Sequence, residues 1–235
     1  MVADHSVLVA ETAVLKVLFY FGTVVELFKE NIVMSPEYMN MFRTLLTAVN
    51  LDPYNDDAYY FAQAAFTWEL GRIREVNEML EIGARSRTWD PWINFYLGFN
   101  HAYFLKDYPT GAKYFKRAAE LSGNPLYANL AARYFYESRQ TELGLSFLDT
   151  MIAQAKDSAV KETYQLRRNA LIATMQLEHA IDIYQKKYGR NIKSFDELTS
   201  SGLISTIPKD PYGGTFYLDE DGRVRSTSKF AETRQ

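Results

Sequence analysis

The chain has 235 residues, with 26 Lys and Arg against 29 Asp and Glu, a net charge of −3, and no cysteine. It is 47% hydrophobic and 15% aromatic, too apolar for a disordered chain and long enough to bury a sizeable core in one domain or two. Disulfides, thiolate metal sites and cysteine nucleophiles are excluded. So is a nucleic-acid surface of the usual kind, because the nearest basic group, Arg72, Arg74, Arg85 and Arg87, is diluted by Glu75, Glu78 and Glu81.

The first expected element is a helix over residues 7–28, rich in Val, Leu and Phe and long enough to span a bilayer. Glu11, Lys16 and Glu26 interrupt it, and charge is costly in lipid, so the segment reads as a buried or amphipathic helix of a soluble chain. No basic segment with a small-residue cleavage site precedes it. The start Met1-Val2-Ala3 leaves room for a targeting segment removed upstream.

Residues 13–28 and 38–49 form a helical pair that ends at Asp52-Pro53. Three units with a common pattern follow: a Pro after a turn, an aromatic-rich helix, a polar break, and a helix mixing small and large apolar residues. Pro53, Pro91 and Pro125 punctuate them, the last two about 34 residues apart. The first unit carries Phe61-Ala62 as a large–small pair, Gly71 at the inter-helix turn, then Val76, Leu80 and Gly83. The middle unit has Leu97-Gly98, then Gly111, Phe115 and Ala118 at helical steps. The third has Leu130-Ala131, then Gly144, Leu148 and Met151. Small residues at these places let paired helices cross closely, and Pro125 stops the helix before it.

This pattern over residues 8–155 resembles the tetratricopeptide repeat family. The resemblance implies a mainly α fold, a TPR-like α-α superhelix of about four helix pairs whose first helices line a concave protein-binding face. Counted from each large–small pair, that face includes Tyr59, Gln63, Phe66, Trp92, Phe95, Phe99, Ala128, Ala132 and Phe135. None is Lys, Arg or Asn, so the bound segment is expected to be apolar or aromatic.

A long helical stretch over residues 161–187 follows, with Leu171, Ile172 and Met175 on one stripe and Leu177, Ile181, Tyr184 and Tyr188 on another. Gly189-Arg190-Asn191 ends it. Ser194 is expected to cap a short helix with Glu197 as its capping-box partner. After Pro208 and the turn Asp210-Pro211-Tyr212-Gly213-Gly214, strands over 215–218 and 223–227 flank Asp221-Gly222, a hairpin signal. The order of Ile181, Gly189, Phe195-to-Leu198, Pro208-to-Gly213 and Tyr217-to-Val224 resembles the C-terminal region of type II secretion major pseudopilins and type IV pilins. Upstream, where that family has an assembly helix, this chain has the repeats, so it is not expected to be a filament subunit. Some pseudopilins bind calcium in the last loop, which makes Asp219 and Asp221 weak candidates; adjacent carboxylates converge poorly on one ion, and the hairpin accounts for Asp221-Gly222 without a metal.

His5, His101 and His179 are isolated, and no zinc-protease, nucleophile-elbow or phosphate-loop motif is present. The expectation is a chain with no catalytic residues and no cofactor. Its domains are a repeat domain over 1–158 and a long helix with an α/β C-terminal module over 159–235. The function expected is a protein–protein interaction scaffold or assembly factor for a bacterial cell-envelope complex of the pilus or secretion type. The compartment is periplasm or envelope, with cytoplasm as the alternative, and nucleic acid is no partner. Two alternatives stand beside it: a homo-oligomer joined through apolar first helices, and a membrane-anchored accessory subunit.

Overall fold

The structure is a computed structural model that describes residues 5–30, 36–68 and 70–228. Among them are ten α-helices and one two-stranded antiparallel sheet at the C-terminal end, so the mainly helical class and the terminal hairpin are both present. The chain divides into two compact units, Met1–Asp107 and Tyr108–Gln235. The expected division at residue 158 falls inside the second unit, and the actual boundary separates the two helices of the third expected pair.

In the first unit, α1 (Ser6–Lys29) packs on α2 (Tyr38–Leu51) through Ala10, Val14, Val17 and Val24. The helix is not buried all round, and its outer side is not wholly polar: Leu8, Leu15 and Phe19 form an exposed apolar stripe opposite the buried one. Next, α3 (Asp56–Phe61) is started by Asn55, whose Oδ1 accepts the Ala58 N–H at 3.0 Å, with Asp56 and Asp57 complementing the helix dipole. It continues as a π-helical segment, Ala62–Thr67. Gly71, at φ +63°, makes the turn into α4 (Ile73–Ser86). Gly83 is where α4 meets its neighbours: a Cβ there would lie 2.6 Å from Ile93 Cδ1 and 2.9 Å from Tyr59 Cζ. Then α5 (Pro91–Phe99) begins at the Asp90 cap and runs into a second π-helical segment, Asn100–Phe104.

The two π segments are tied together inside the unit. Gln63 and Asn100 exchange side-chain hydrogen bonds at 2.9 and 2.8 Å, and Asn100 Nδ2 also donates to Asn77 Oδ1 at 2.8 Å. All three amides are buried. A buried amide without partners costs free energy, so the three residues fix one another's positions.

The second unit runs through α6 (Tyr108–Ser122), α7 (Pro125–Glu137), α8 (Thr141–Gln154) and α9 (Ser158–Tyr188). Between α6 and α7 the work attributed to Pro125 is shared. Gly123, at φ +66°, ends α6; Asn124 caps the Leu126 N–H at 2.9 Å; Pro125 opens α7 at a position that needs no N–H. Asp157 caps α9 through the N–H groups of Ala159 and Val160, so the helix starts at Ser158, and Gly189 at φ +65° closes it.

Beyond α9, the short α10 (Asp196–Ser200) and the hairpin of β1 (Phe216–Leu218) and β2 (Val224–Ser226) build a small core. Leu177, Ala180 and Tyr184 of α9 pack there with Phe195, Leu198, Phe216 and Val224. The strands pair Phe216 with Ser226 and Leu218 with Val224, and Gly222 turns at φ +74°. Asp210 anchors the preceding turn: it is buried, accepts the Tyr212 N–H at 2.9 Å and receives a short hydrogen bond from the Ser226 hydroxyl of β2. Gly214 has no room for a side chain, since a Cβ would lie 2.6 Å from the Ser228 nitrogen.

The Ser194–Glu197 capping box is corrected. No side chain caps α10, and Glu197 instead accepts the Lys193 N–H at 2.7 Å, the Tyr184 hydroxyl at 2.7 Å and Arg190 Nη2 at 2.6 Å. These three donors, the Lys193 amide foremost, hold the Glu197 carboxyl down at about 2 against an ordinary value of 4.5. A depressed folded-state pKa gives stability that is complete above pH 4.5 and is lost as pH falls through 2. Carboxyl-carbon NMR is expected to show Glu197 titrating near pH 2, and Tyr184→Phe to raise that midpoint; a wild-type midpoint at 4.5 would show that the three donors do not act on the carboxylate.

Candidate partner-binding surface

On the first unit, exposed aromatic side chains gather around the α3 start and the α5 start. The fixed point beneath them is Arg87, in the turn between α4 and α5. Its side chain is 12% exposed and spans Asp56 Oδ1 at 2.5 Å and Asp90 Oδ2 at 2.9 Å, while Nη1 donates to the Tyr54 carbonyl at 2.6 Å. Asp90, with a side chain 8% exposed, uses its other oxygen to accept the Trp92 N–H at 2.8 Å. One buried ion pair thus sets both the turn that carries Trp89 and the first turn of the helix that carries Trp92.

Around that point lies a cleft of about 590 Å³ lined by Tyr60, Trp89, Trp92 and Tyr96, with Tyr59 and Ile93 in its wall. Trp89 and Trp92 are 59% and 57% exposed, and Trp89 stacks on Tyr54 at 5.9 Å between ring centroids. Tyr59 is buried, its hydroxyl donates to the Pro53 carbonyl at 3.1 Å, and burial pushes the phenol's pKa well up. From Trp92 the rings continue in contact along α5 and its π extension: Phe95 at 6.2 Å, Phe99 at 6.3 Å beyond that, then Tyr103 at 5.1 Å. Trp68 flanks the far end against Phe99, Tyr103 and Phe104.

The expected groove residues divide sharply. Trp92, Phe95 and Phe99 belong to this surface. Tyr59, Gln63, Phe66, Ala128, Ala132 and Phe135 are buried, Tyr59 showing only an edge in the cleft wall, which corrects their assignment to an open face. For Tyr59, Gln63 and Phe66 the cause is packing of α3 and its π extension against α2 and α4. For Ala128, Ala132 and Phe135 the cause is that α7 is covered by α6, α8 and α9. Counting missed Tyr54, Tyr60, Trp68, Trp89, Tyr96 and Tyr103. Trp89 had a signal, standing in a turn before Asp90-Pro91, where a large ring has little chance of burial.

In the second unit the calcium candidates serve the hairpin. Asp219 Oδ1 accepts the N–H groups of Asp221 and Arg223, and Oδ2 accepts Arg225 Nε at 2.9 Å. No group of three or more His, Asp or Glu side chains suited to a metal occurs among the described residues. His101 packs beside Asp107, with Nδ1 3.1 Å from the carboxylate.

No protein-family model, no curated protein and no solved structure matches the chain.

Proposed function

We propose that the chain is a non-catalytic protein-binding module of the tetratricopeptide kind, serving as a scaffold or assembly factor at the bacterial cell envelope. The observation that carries this reading is the aromatic surface of exposed Trp89, Trp92 and Tyr103 with half-buried Phe95 and Phe99 between the last two, held by a buried ion pair and a buried amide network. Exposed aromatic rings on a rigid backbone are favoured contact groups in protein interfaces, because they bury large area with few torsions to freeze. The helix pairs and the helix–turn–hairpin tail support the two family resemblances on which the envelope role rests. A membrane association agrees with α1, which is long and apolar enough to cross a bilayer and exposes Leu8, Leu15 and Phe19.

Crosslinking in envelope fractions tests the reading. A partner recovered with the wild-type chain is expected to be lost with Trp92→Ser/Tyr103→Ser at unchanged helical content, because both rings are exposed. The same proteins recovered from both chains would refute it. Flotation with lipid vesicles tests the membrane part: Leu15→Asn/Phe19→Asn should move the chain out of the vesicle fraction.

A further inference from the structure

The geometry points to the cleft between Tyr60, Trp89, Trp92 and Tyr96 as a receptor for a basic side chain of the partner, arginine before lysine. This deepens the protein-binding reading and rests on it. The walls are the exposed rings of Tyr60, Trp89 and Trp92 with half-buried Tyr96, whose quadrupoles attract a cation. The charged residues lining the cleft are Asp56, Arg87 and Asp90. Arg87 and Asp90 neutralise each other beneath the surface, with side chains 12% and 8% exposed, whereas the Asp56 side chain is 74% exposed at the rim. Arg87 pairs with its Oδ1 at 2.5 Å, so the three charges together carry a net −1. The field that a partner meets is therefore negative over aromatic walls, which is complementary to a cation and repels an acidic segment. Arginine suits it better than lysine, because a planar guanidinium can lie flat on an indole and still donate to a carboxylate at its edge.

Two of the three tryptophans of the chain line the cleft, so its occupancy reads out in intrinsic fluorescence. The probes are acetyl-Ala-Arg-Ala-amide, the same peptide with citrulline, which keeps shape and loses charge, and the same peptide with glutamate. The arginine peptide is expected to shift tryptophan emission saturably, with citrulline about tenfold weaker and glutamate inert. Asp56→Asn should weaken the arginine peptide several-fold, while Asp57→Asn, which changes net charge equally but lies outside the lining, should leave it unchanged. Equal binding of arginine and citrulline would overturn the inference while leaving the cleft a peptide surface. Equal weakening by the two Asp variants would overturn it in favour of general charge attraction. No saturable response to any peptide would also overturn it, and the protein-binding reading would then be decided separately by the Trp92→Ser/Tyr103→Ser crosslinking.

Discussion

Asn100→Ala is expected to destabilise the first unit by roughly 3–5 kcal/mol, because it takes the Asn100 partner from two buried side-chain amides at about 1–3 kcal/mol each, Gln63 keeping only the Thr67 hydroxyl at 3.5 Å, in addition to the small cavity. Asn100 donates to Gln63 and Asn77 and accepts from Gln63, so removing it strips both. For a chain of this size the loss corresponds to a fall in melting temperature of about 10 °C. The triple change Gln63→Leu/Asn77→Leu/Asn100→Leu should cost less than the single one, since replacing a whole polar set by apolar groups of similar size avoids the unpaired amides. Calorimetry on the two variants checks this. A single variant that loses under about 1 kcal/mol, or a triple variant worse than the single, would show that the amides are not the tie between the π segments.

Glu137→Leu is expected to loosen the C-terminal hairpin by roughly 1.5–3 kcal/mol, the range for hydrogen bonds to charged groups, because the pair is only partly buried. Glu137, at the end of α7, is 9% exposed at its side chain and receives Arg225 Nη1 at 2.6 Å and Arg223 Nη1 at 3.3 Å. The same two guanidinium groups stand over the ring of Tyr136, at 5.2 and 6.0 Å from its centroid, and the Tyr136 hydroxyl makes a short hydrogen bond to the Val224 carbonyl of β2. Burial, and then the neighbouring Glu178, drive the Tyr136 phenol's pKa far above its usual range, so it stays a donor at every accessible pH. Loss of Glu137 leaves the partly buried Arg223 and Arg225 with less negative charge to meet them. Hydrogen exchange should then rise at the ladder amides of Tyr217 and Arg225, which face each other across the hairpin, with Glu137→Gln intermediate because it keeps one of the two acceptor oxygens. Unchanged protection of both strands in Glu137→Leu would show that Tyr136 and the small core hold the hairpin alone.

Local chemistry in this chain could be read from the sequence, and the reason is visible at each place. Pro91 and Pro125 open helices because they lack an N–H where none is needed; Gly71 and Gly189 take the positive φ that their turns require; Asp221-Gly222 makes the hairpin. The facing of the helices was less legible. A π segment closes its hydrogen bonds one residue further on than an α turn, as in Leu105 N–H to the Asn100 carbonyl at 3.1 Å, so a face counted at 3.6 residues per turn drifts by one position. Nothing in Ala62–Thr67 or Asn100–Phe104 announces that change. In α7 the helical period holds, but no side stays open, since coverage by α9 depends on residues far along the chain. The same distance hides the tie between Glu137 and the hairpin, and it hides the unit boundary between Asp107 and Tyr108, where composition does not change.

The bond from Tyr136 to Val224 and that from Glu137 to Arg225 each join residues 88 positions apart, whereas the amide network of the first unit spans 37. On the ribosome this difference becomes one of time. At roughly 5–20 residues per second, α7 emerges several seconds before the strand that receives its hydroxyl and carboxylate. During that interval the first unit already holds every residue of its own network. The second unit carries an acceptor and a donor at the end of α7 whose partners have not been made, and an early stop codon or a C-terminal clip would leave it in that condition permanently. Emergence of Arg223 and Arg225 is therefore the step that completes the second unit, and a chain cut before Arg223 lacks both guanidinium groups.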